Sequence, residues 1–488
     1  MNMIIRICFT GLLFFFSGKV FCQPAVGNWE GALQINGTEL PVIFHISKDN
    51  ADKYSATFDS PKQQAYNIPC SDAIVRGDSV ILLMKNINAK YAGKLNEAKI
   101  QLTGSFYQGA GVLPLTLEKT GNTATVNQPN RPQTPKPPFP YKSEDVVYTN
   151  ADKSISFGAT FTVPLPDPNV DYFRAPIYPV VILISGSGPQ DRDETIFDHK
   201  PFAVLADYLT RQGIAVLRVD DRGVAKTTGS FSKSTTADFA DDVEAGIEYL
   251  KTRADVDTTS IGLIGHSEGG LIAPMVASRR KDVHFIVMLA GPALPVLDMM
   301  EQQSADVMLS SGINKADIEL YRPLYRNVVT AVINAKDSAT ASKKTIGIFK
   351  KWQTGKTAES VKNTTGVTDE KGITAFTNAF IKDLNGPWYP YFLKINPADY
   401  LSKISCPLLA INGEKDIQVA AAQNLGAIKS ILEKSKHKNF TTMEMPGLNH
   451  LFQHCKTCTF EEYGELEESF DTETLKIITG WIKTGRFK

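Results

Sequence analysis

The apolar run Ile261-Gly262-Leu263-Ile264 leads directly into Gly265-His266-Ser267-Glu268-Gly269-Gly270, and Leu271-Ile272-Ala273-Pro274-Met275-Val276 follows. No other stretch restricts the fold so tightly. A short, wholly apolar run ending at glycine reads as a strand buried on both faces, and the run after the serine reads as a helix. The chain must turn from strand into helix within very few residues, and Gly265 and Gly269 remove the Cβ atoms that would collide there. Such a turn holds Ser267 in a strained backbone with its Oγ above the sheet, and it points the N–H of Glu268 toward the same place. Ser267 is therefore the candidate nucleophile. The G-x-S-x-G spacing alone arises by chance in many chains, and a helix N-cap serine in a glycine-rich turn is the plain alternative. The strand before it and the helix after it favour the nucleophile.

The surroundings agree with a parallel sheet. From Tyr141 onward strands and helices alternate: "YPVVILIS", "PFAVLADYLTRQG", "IAVLRVD", "TTADFADDVEAGIEYLKTR", "SIGLIG", "LIAPMVASRR" and "HFIVMLAG". Strands buried on both faces between helices imply an α/β core. Residues 295–400 break the alternation with helical, Lys- and Met-containing segments and read as an inserted lid. "PLLAING" and "NFTTMEMPG" then resume the sheet, and "TETLKIITGWIKT" closes it with a helix.

Residues 23–120 differ in kind. Short alternating runs such as "NWEGALQI", "ELPVIFHI", "SVILLM" and "VLPLTLEK", split by turn pairs at Asn36-Gly37 and Arg76-Gly77, predict an all-β barrel or sandwich of about eight strands. His45 sits in one of these runs and reads as a packed residue rather than a ligand. Residues 121–140 carry six prolines and almost no large aliphatics, the composition of a semi-rigid linker. The expected organisation is a β domain over 23–120, a linker over 121–140 and an α/β domain over 141–488.

Residues 1–22 combine Arg6 with an apolar stretch over 7–16 that is too short to span a bilayer. Val20 and Cys22 suit a cleavage site, so a cleaved signal peptide and an exported protein, periplasmic or secreted, are expected. Acylation of Cys22 as a lipoprotein is the rival, against which Phe21 speaks. No later segment reads as a membrane span. The 52 basic residues balance 52 acidic ones, so no net field attracts nucleic acid or anionic lipid, and small or neutral substrates fit better. Oligomeric state is not legible.

A serine nucleophile needs a base, and the base needs an acid to orient it. On such a sheet the acid and then the base follow the serine along the chain. Asp416 lies in the loop after "PLLAING", where α/β sites are built; Glu414 shares that loop but reads as solvated, and Asp399 precedes the strand. His450 follows the last predicted strand, with His454 as the rival; His284 and His437 read as structural and solvated. The second oxyanion donor belongs in the loop "GSGPQDRDE" over 186–194, with Ser187 N–H as the candidate and Gly186 as the alternative.

Together "SGSGPQDRDE", "DDRGVAKTTG", "GLIGHSEGG", "LAGPA", "INGEKDIQV" and "GLNHLFQ" resemble the bacterial EstD-like esterases of the α/β-hydrolase superfamily, with serine aminopeptidase-type hydrolases as neighbours. The likeness runs over about 145–488. It implies an α/β-hydrolase fold and a carboxylesterase acting on short-acyl esters through Ser267, Asp416 and His450, without cofactor or metal. Ser185 stands where many members have a histidine. Two other readings stay open. One is a peptidase whose substrate amine would meet Asp191, Asp193 or Glu194; the other is an inactive hydrolase fold that binds carbohydrate or a partner. Asp220, Asp221 and Arg222 read either as the mouth of the site or as a structural ion pair. For Cys455 and Cys458 a short disulfide is expected, since His450, committed to Ser267, leaves too few neighbours for zinc.

Overall fold

The computed structural model describes residues 25–35, 38–49, 53–61, 65–108, 111–120, 130–169, 175–383 and 386–484. Residues 1–22, expected to be a signal peptide, Asn36 and Gly37, expected to form a turn, and residues 121–129 of the expected linker lie outside the described residues. The chain forms two compact units, 1–128 and 129–488.

The first unit is one antiparallel sheet of nine strands: β1 (Gly27–Ile35), β2 (Thr38–Lys48), β3 (Tyr54–Ser60), β4 (Ala65–Pro69), β5 (Asp72–Arg76), β6 (Ser79–Met84), β7 (Ala89–Leu95), β8 (Gln101–Gln108) and β9 (Gly111–Thr120). Their order is β4-β3-β2-β1-β9-β8-β7-β6-β5. Consecutive strands β4 and β5 thus stand at opposite ends of the sheet. Flat, those ends would be roughly 40 Å apart, yet two residues join them. The sheet must curl until its ends meet, which is the barrel rather than the sandwich of the two expected forms. Trp29, Phe44, Phe58, Leu82, Tyr91 and Leu102 fill its interior. His45 is half-buried and held between Asn28 Oδ1 (2.9 Å) and Asp59 Oδ2 (2.7 Å), a packed residue as its strand position suggests.

The second unit is an eight-stranded sheet of β10 (Tyr141–Thr149), β11 (Ser156–Pro164), β12 (Tyr178–Ile184), β13 (Ala215–Val219), β14 (Val256–His266), β15 (Phe285–Leu289), β16 (Leu408–Gly413) and β17 (Phe440–Met445). The order is β10-β11-β13-β12-β14-β15-β16-β17; the β10–β11 and β11–β13 pairs are antiparallel and the remaining pairs parallel. Alternate residues of β12 face opposite cores: Val180, Ile182 and Ile184 enter one, Val181 and Leu183 the other. Helices α1 (Pro201–Arg211), α2 (Thr236–Lys251) and α3 (Glu268–Arg279) connect the central strands. The insertion comprises α4 (Val296–Ser310), α5 (Lys315–Ile333), α6 (Ser338–Gln353), α7 (Ala358–Thr365), α8 (Glu370–Asp383), α9 (Trp388–Phe392) and α10 (Ala398–Leu401); α11 (Ala421–Lys434), α12 (Phe460–Tyr463) and α13 (Thr472–Thr484) complete the fold. Among the described residues no helix is long and apolar enough to cross a membrane.

The proline-rich stretch does not stay a linker to its end. Arg131 donates to the carbonyls of Phe197 (2.8 Å), Gly464 (2.6 Å) and Leu466 (2.5 Å), and Gln133 pairs with the backbone of Phe470. Residues 130–140 therefore belong to the second unit.

Candidate active site

Strand β14 ends at His266, and Ser267 follows with φ 52° and ψ −118° at the N-cap of α3. A Cβ on Gly265 would run into the carbonyl of Gly269, and one on Gly269 would strike Ile184 O, so both positions need glycine for the turn to close. The Ser267 N–H donates to Leu289 O (2.8 Å), and its carbonyl accepts from Gly270 N (2.9 Å). The strained residue is held from both sides.

The remaining candidates arrive at the C-terminal ends of neighbouring strands. Asp416, after β16, accepts from the N–H groups of Gln418 (2.7 Å) and Val419 (2.9 Å) through Oδ1 and faces His450 Nδ1 with Oδ2 at 2.8 Å. His450, after β17, is 3% exposed, so its proton on Nδ1 has little choice of acceptor. Glu414 points away: it is exposed and accepts from Gly447 N (3.0 Å). His454 is exposed and turned to Glu468 (2.9 Å), and Asp399 opens α10. Ser267, His450, Ser187, Gly186 and Glu268 line one cavity of about 180 Å³, closed by Ile196, Met299, Met300, Trp388, Phe392 and Leu451. The aromatic stretch 386–392 thus supplies Trp388 and Phe392 to the wall, and the same two rings stack on each other (5.1 Å).

Strand order, strained serine and acid-then-base succession converge on one fold. The C-terminal unit has the α/β-hydrolase fold. A family model described as serine aminopeptidase, S33, matches residues 199–339 of this chain. The chain is similar to Esterase EstD of Thermotoga maritima, 36% identical over 126 residues, which is 26% of this chain and 30% of that protein. The match thus spans less than a third of that relative. Among solved structures, an esterase of Pyrococcus furiosus is 20% identical with a TM-score of 0.39, covering 73% of this chain and 98% of its own. Est1E from Butyrivibrio proteoclasticus, bound to ferulic acid, is 16% identical with a TM-score of 0.36, covering 70% and 97%.

The role of His266 at this site was not legible in the sequence, and Glu194 stood out only as a candidate partner for a substrate amine. His266 Nε2 donates to His450 O (2.9 Å), while Nδ1 meets Glu194 Oε1 (3.0 Å), which also accepts from Gly186 N (2.6 Å). Burial works against a charged ring at His266, yet the touching Glu194 carboxylate outweighs it and holds the pKa above the ordinary value. One pair thereby ties the Ser267 turn, the loop after β12 and His450 together. The available signal was that a histidine ending a fully buried strand must find partners for both nitrogens.

The acidic residues of the loops after β12 and β13 are committed internally. Arg192 pairs with Asp220 (2.6 Å), and Arg222 with Asp242 (2.5 Å). Asp221 accepts from Ser185 Oγ and Gln190 N, both at 2.9 Å, and burial pushes its pKa up to about 7. These contacts shape the loop, which is the structural of the two roles open to residues 220–222.

Proposed function

We propose that the protein is a serine carboxylesterase for short-acyl esters, with Ser267 as nucleophile, His450 as general base and Asp416 as the acid that orients it. The observation that carries this reading is a strained Ser267 sharing a cavity with a His450 whose Nδ1 is fixed by Asp416 at 2.8 Å. His450 Nε2 takes the Ser267 proton as Oγ attacks the ester carbonyl, and Asp416 stabilises the imidazolium. The N–H groups of Glu268 and Ser187 receive the oxyanion; Gly186, the alternative donor, already gives its N–H to Glu194. His450 then protonates the leaving alkoxide, and water repeats the sequence on the acyl-enzyme. The chain supplies every group these steps use, so the reading calls for no cofactor. The similarity to Esterase EstD supports the same activity.

The peptidase reading draws on the name of the matching family model. It needs a free carboxylate for a substrate ammonium, and the three candidates are engaged. Asp191 accepts from Asp193 N and Thr195, Asp193 pairs with Arg218 and Lys200, and Glu194 serves His266 and Gly186. Turnover of p-nitrophenyl acetate, butyrate and octanoate beside an aminoacyl amide tests this. Preference for the shorter esters, abolished in Ser267→Ala, is expected; a preference for the amide would overturn it. Export is likewise proposed from residues 1–22, and a mature N-terminus at Met1 would contradict it.

A further inference from the structure

The mechanism above uses only the backbone N–H of Glu268. Its side chain is 2% exposed and collects three donors. Oε2 accepts from Ser187 Oγ (2.8 Å), and Oε1 accepts from Thr236 Oγ1 (2.6 Å) and Trp388 Nε1 (2.8 Å). Burial pushes the carboxyl pKa up while these three donors pull it down. A carboxyl so deep is costly to keep, and its partners show what it joins. Glu268 and Ser187 carry the two proposed oxyanion donors. Thr236 opens α2, and Trp388 opens α9 of the insertion. Trp388 also stacks on Phe392, and both rings wall the cavity.

We infer that the Glu268 side chain is a positioning group that sets the two oxyanion donors relative to each other and fastens the insertion to them through Trp388. It does not touch substrate. One carboxyl thus assembles the wall of the acyl pocket and the oxyanion hole together, so the insertion is coupled to the chemical step as well as to substrate fit. This rests on the esterase reading. An oxyanion donor must sit within about 2.7–3.1 Å of the developing charge, and a misplacement of about 1 Å costs on the order of 10²-fold. A side chain that only packed the core would affect stability and leave transition-state binding alone.

The test compares wild type, Glu268→Ala, Glu268→Gln, Trp388→Phe and the Glu268→Ala/Trp388→Phe double variant. It reads kcat and KM on p-nitrophenyl butyrate and inhibition by butylboronic acid, whose boron forms a tetrahedral adduct on a serine. Glu268→Ala should lower kcat about 10²-fold and weaken boronate binding in parallel, with KM little changed. Glu268→Gln should recover most of this, because the amide oxygen accepts from Thr236 and Trp388 while its NH₂ donates to Ser187 Oγ. Trp388→Phe keeps the ring, should cost about tenfold in kcat, and should add nothing in the Glu268→Ala background. A folded Glu268→Ala with wild-type kcat, a loss confined to KM, or additive effects in the double variant would each overturn the inference. If Glu268→Ala does not fold, Trp388→Phe decides: unchanged kcat and boronate affinity sink the coupling. A wild type that neither hydrolyses esters nor binds the boronate overturns the esterase reading, and this inference with it.

Discussion

Among the described residues, the nine-stranded unit buries two polar side chains, Asp59 and Ser60, whereas the eight-stranded unit buries Glu194, His199, Asp220, His266, Glu268, Asp416 and His450 among many others. Both units have ample apolar cores, so the difference is not one of size. A buried charge costs several kcal/mol unless fully partnered, and apolar residues of equal volume would serve stability as well or better. Burial in the first unit therefore holds a barrel together. In the second, much of it holds particular atoms in particular places: Asp220, His266, Glu268, Asp416 and His450 all lie at or just beyond C-terminal strand ends. The two units should respond to mutation in opposite ways.

The largest effect belongs to Asp416, the proposed acid. Asp416→Asn should leave folding nearly intact while kcat falls about 10⁴-fold, because an amide at this position favours the wrong tautomer of His450. Urea midpoints should stay close to wild type. Near-normal activity in Asp416→Asn, with loss in Glu414→Gln instead, would move the acid to Glu414.

The converse change is in the barrel. Phe44 is fully buried between Phe58 (4.9 Å) and Tyr91 (5.5 Å), and Phe44→Ala should cost about 3–5 kcal/mol. Calorimetry should show one transition lowered and turnover of small esters preserved. Loss of turnover along with that transition would break the comparison, because it would make the barrel part of the site.

The same contrast explains what could be read in advance. Strands β6 and β12 were legible because their apolar runs are uninterrupted, Asp416 because it follows such a strand, and His450 because it stands just after the last strand, although Thr441, Thr442 and Glu444 interrupt that one. Strands β5 and β7, with Asp72, Arg76, Lys90 and Lys94, do not stand out, and β10 is an edge strand whose charges resemble a loop. Their pairing is decided by neighbours distant in sequence, which local pattern does not contain. Likewise Ser187 stood ahead of Gly186 as the expected donor, but the contact that engages Gly186 N–H comes from Glu194, eight residues on, which local pattern does not contain. Arg131 was hidden by its proline-rich surroundings; starting the chain at Tyr141 rather than Pro129 would strip its three carbonyl contacts.

His199 sharpens the comparison through pH. Its Nε2 lies 2.9 Å from Tyr463 O and 3.0 Å from Gln453 Nε2, and its Nδ1 lies 2.7 Å from Ser469 Oγ. Burial, and then the charge of Arg131, lower its pKa from 6.5 to about 4. Between those values the unfolded chain binds a proton that the folded chain does not, so stability falls as pH drops from 6.5 toward 4. The loss from this group is about 3 kcal/mol at most. Denaturant titrations of wild type and His199→Gln at pH 7 and pH 5 should show a smaller pH effect in the variant. Equal pH effects would mean that another group carries it.

The smallest effect is expected at the disulfide between Cys455 and Cys458, which closes a loop just after His450. The chain-entropy contribution of so short a loop is about 2 kcal/mol. The loop also has a second restraint, because Glu462 accepts from the N–H groups of Lys456 (2.8 Å), Thr457 (2.8 Å) and Cys458 (2.6 Å). That carboxylate opens α12, whose Tyr463 is fully buried. Reduction should therefore lower activity only modestly and leave the fold standing, because the backbone is still wrapped around Glu462. Glu462→Gln should make the same reduction more damaging, since an amide offers one accepting oxygen where two now serve. If reduction abolishes turnover in the wild type, the sulfur link rather than Glu462 holds the segment behind the base. If both thiols prove free in the native protein, Glu462 already does that work alone.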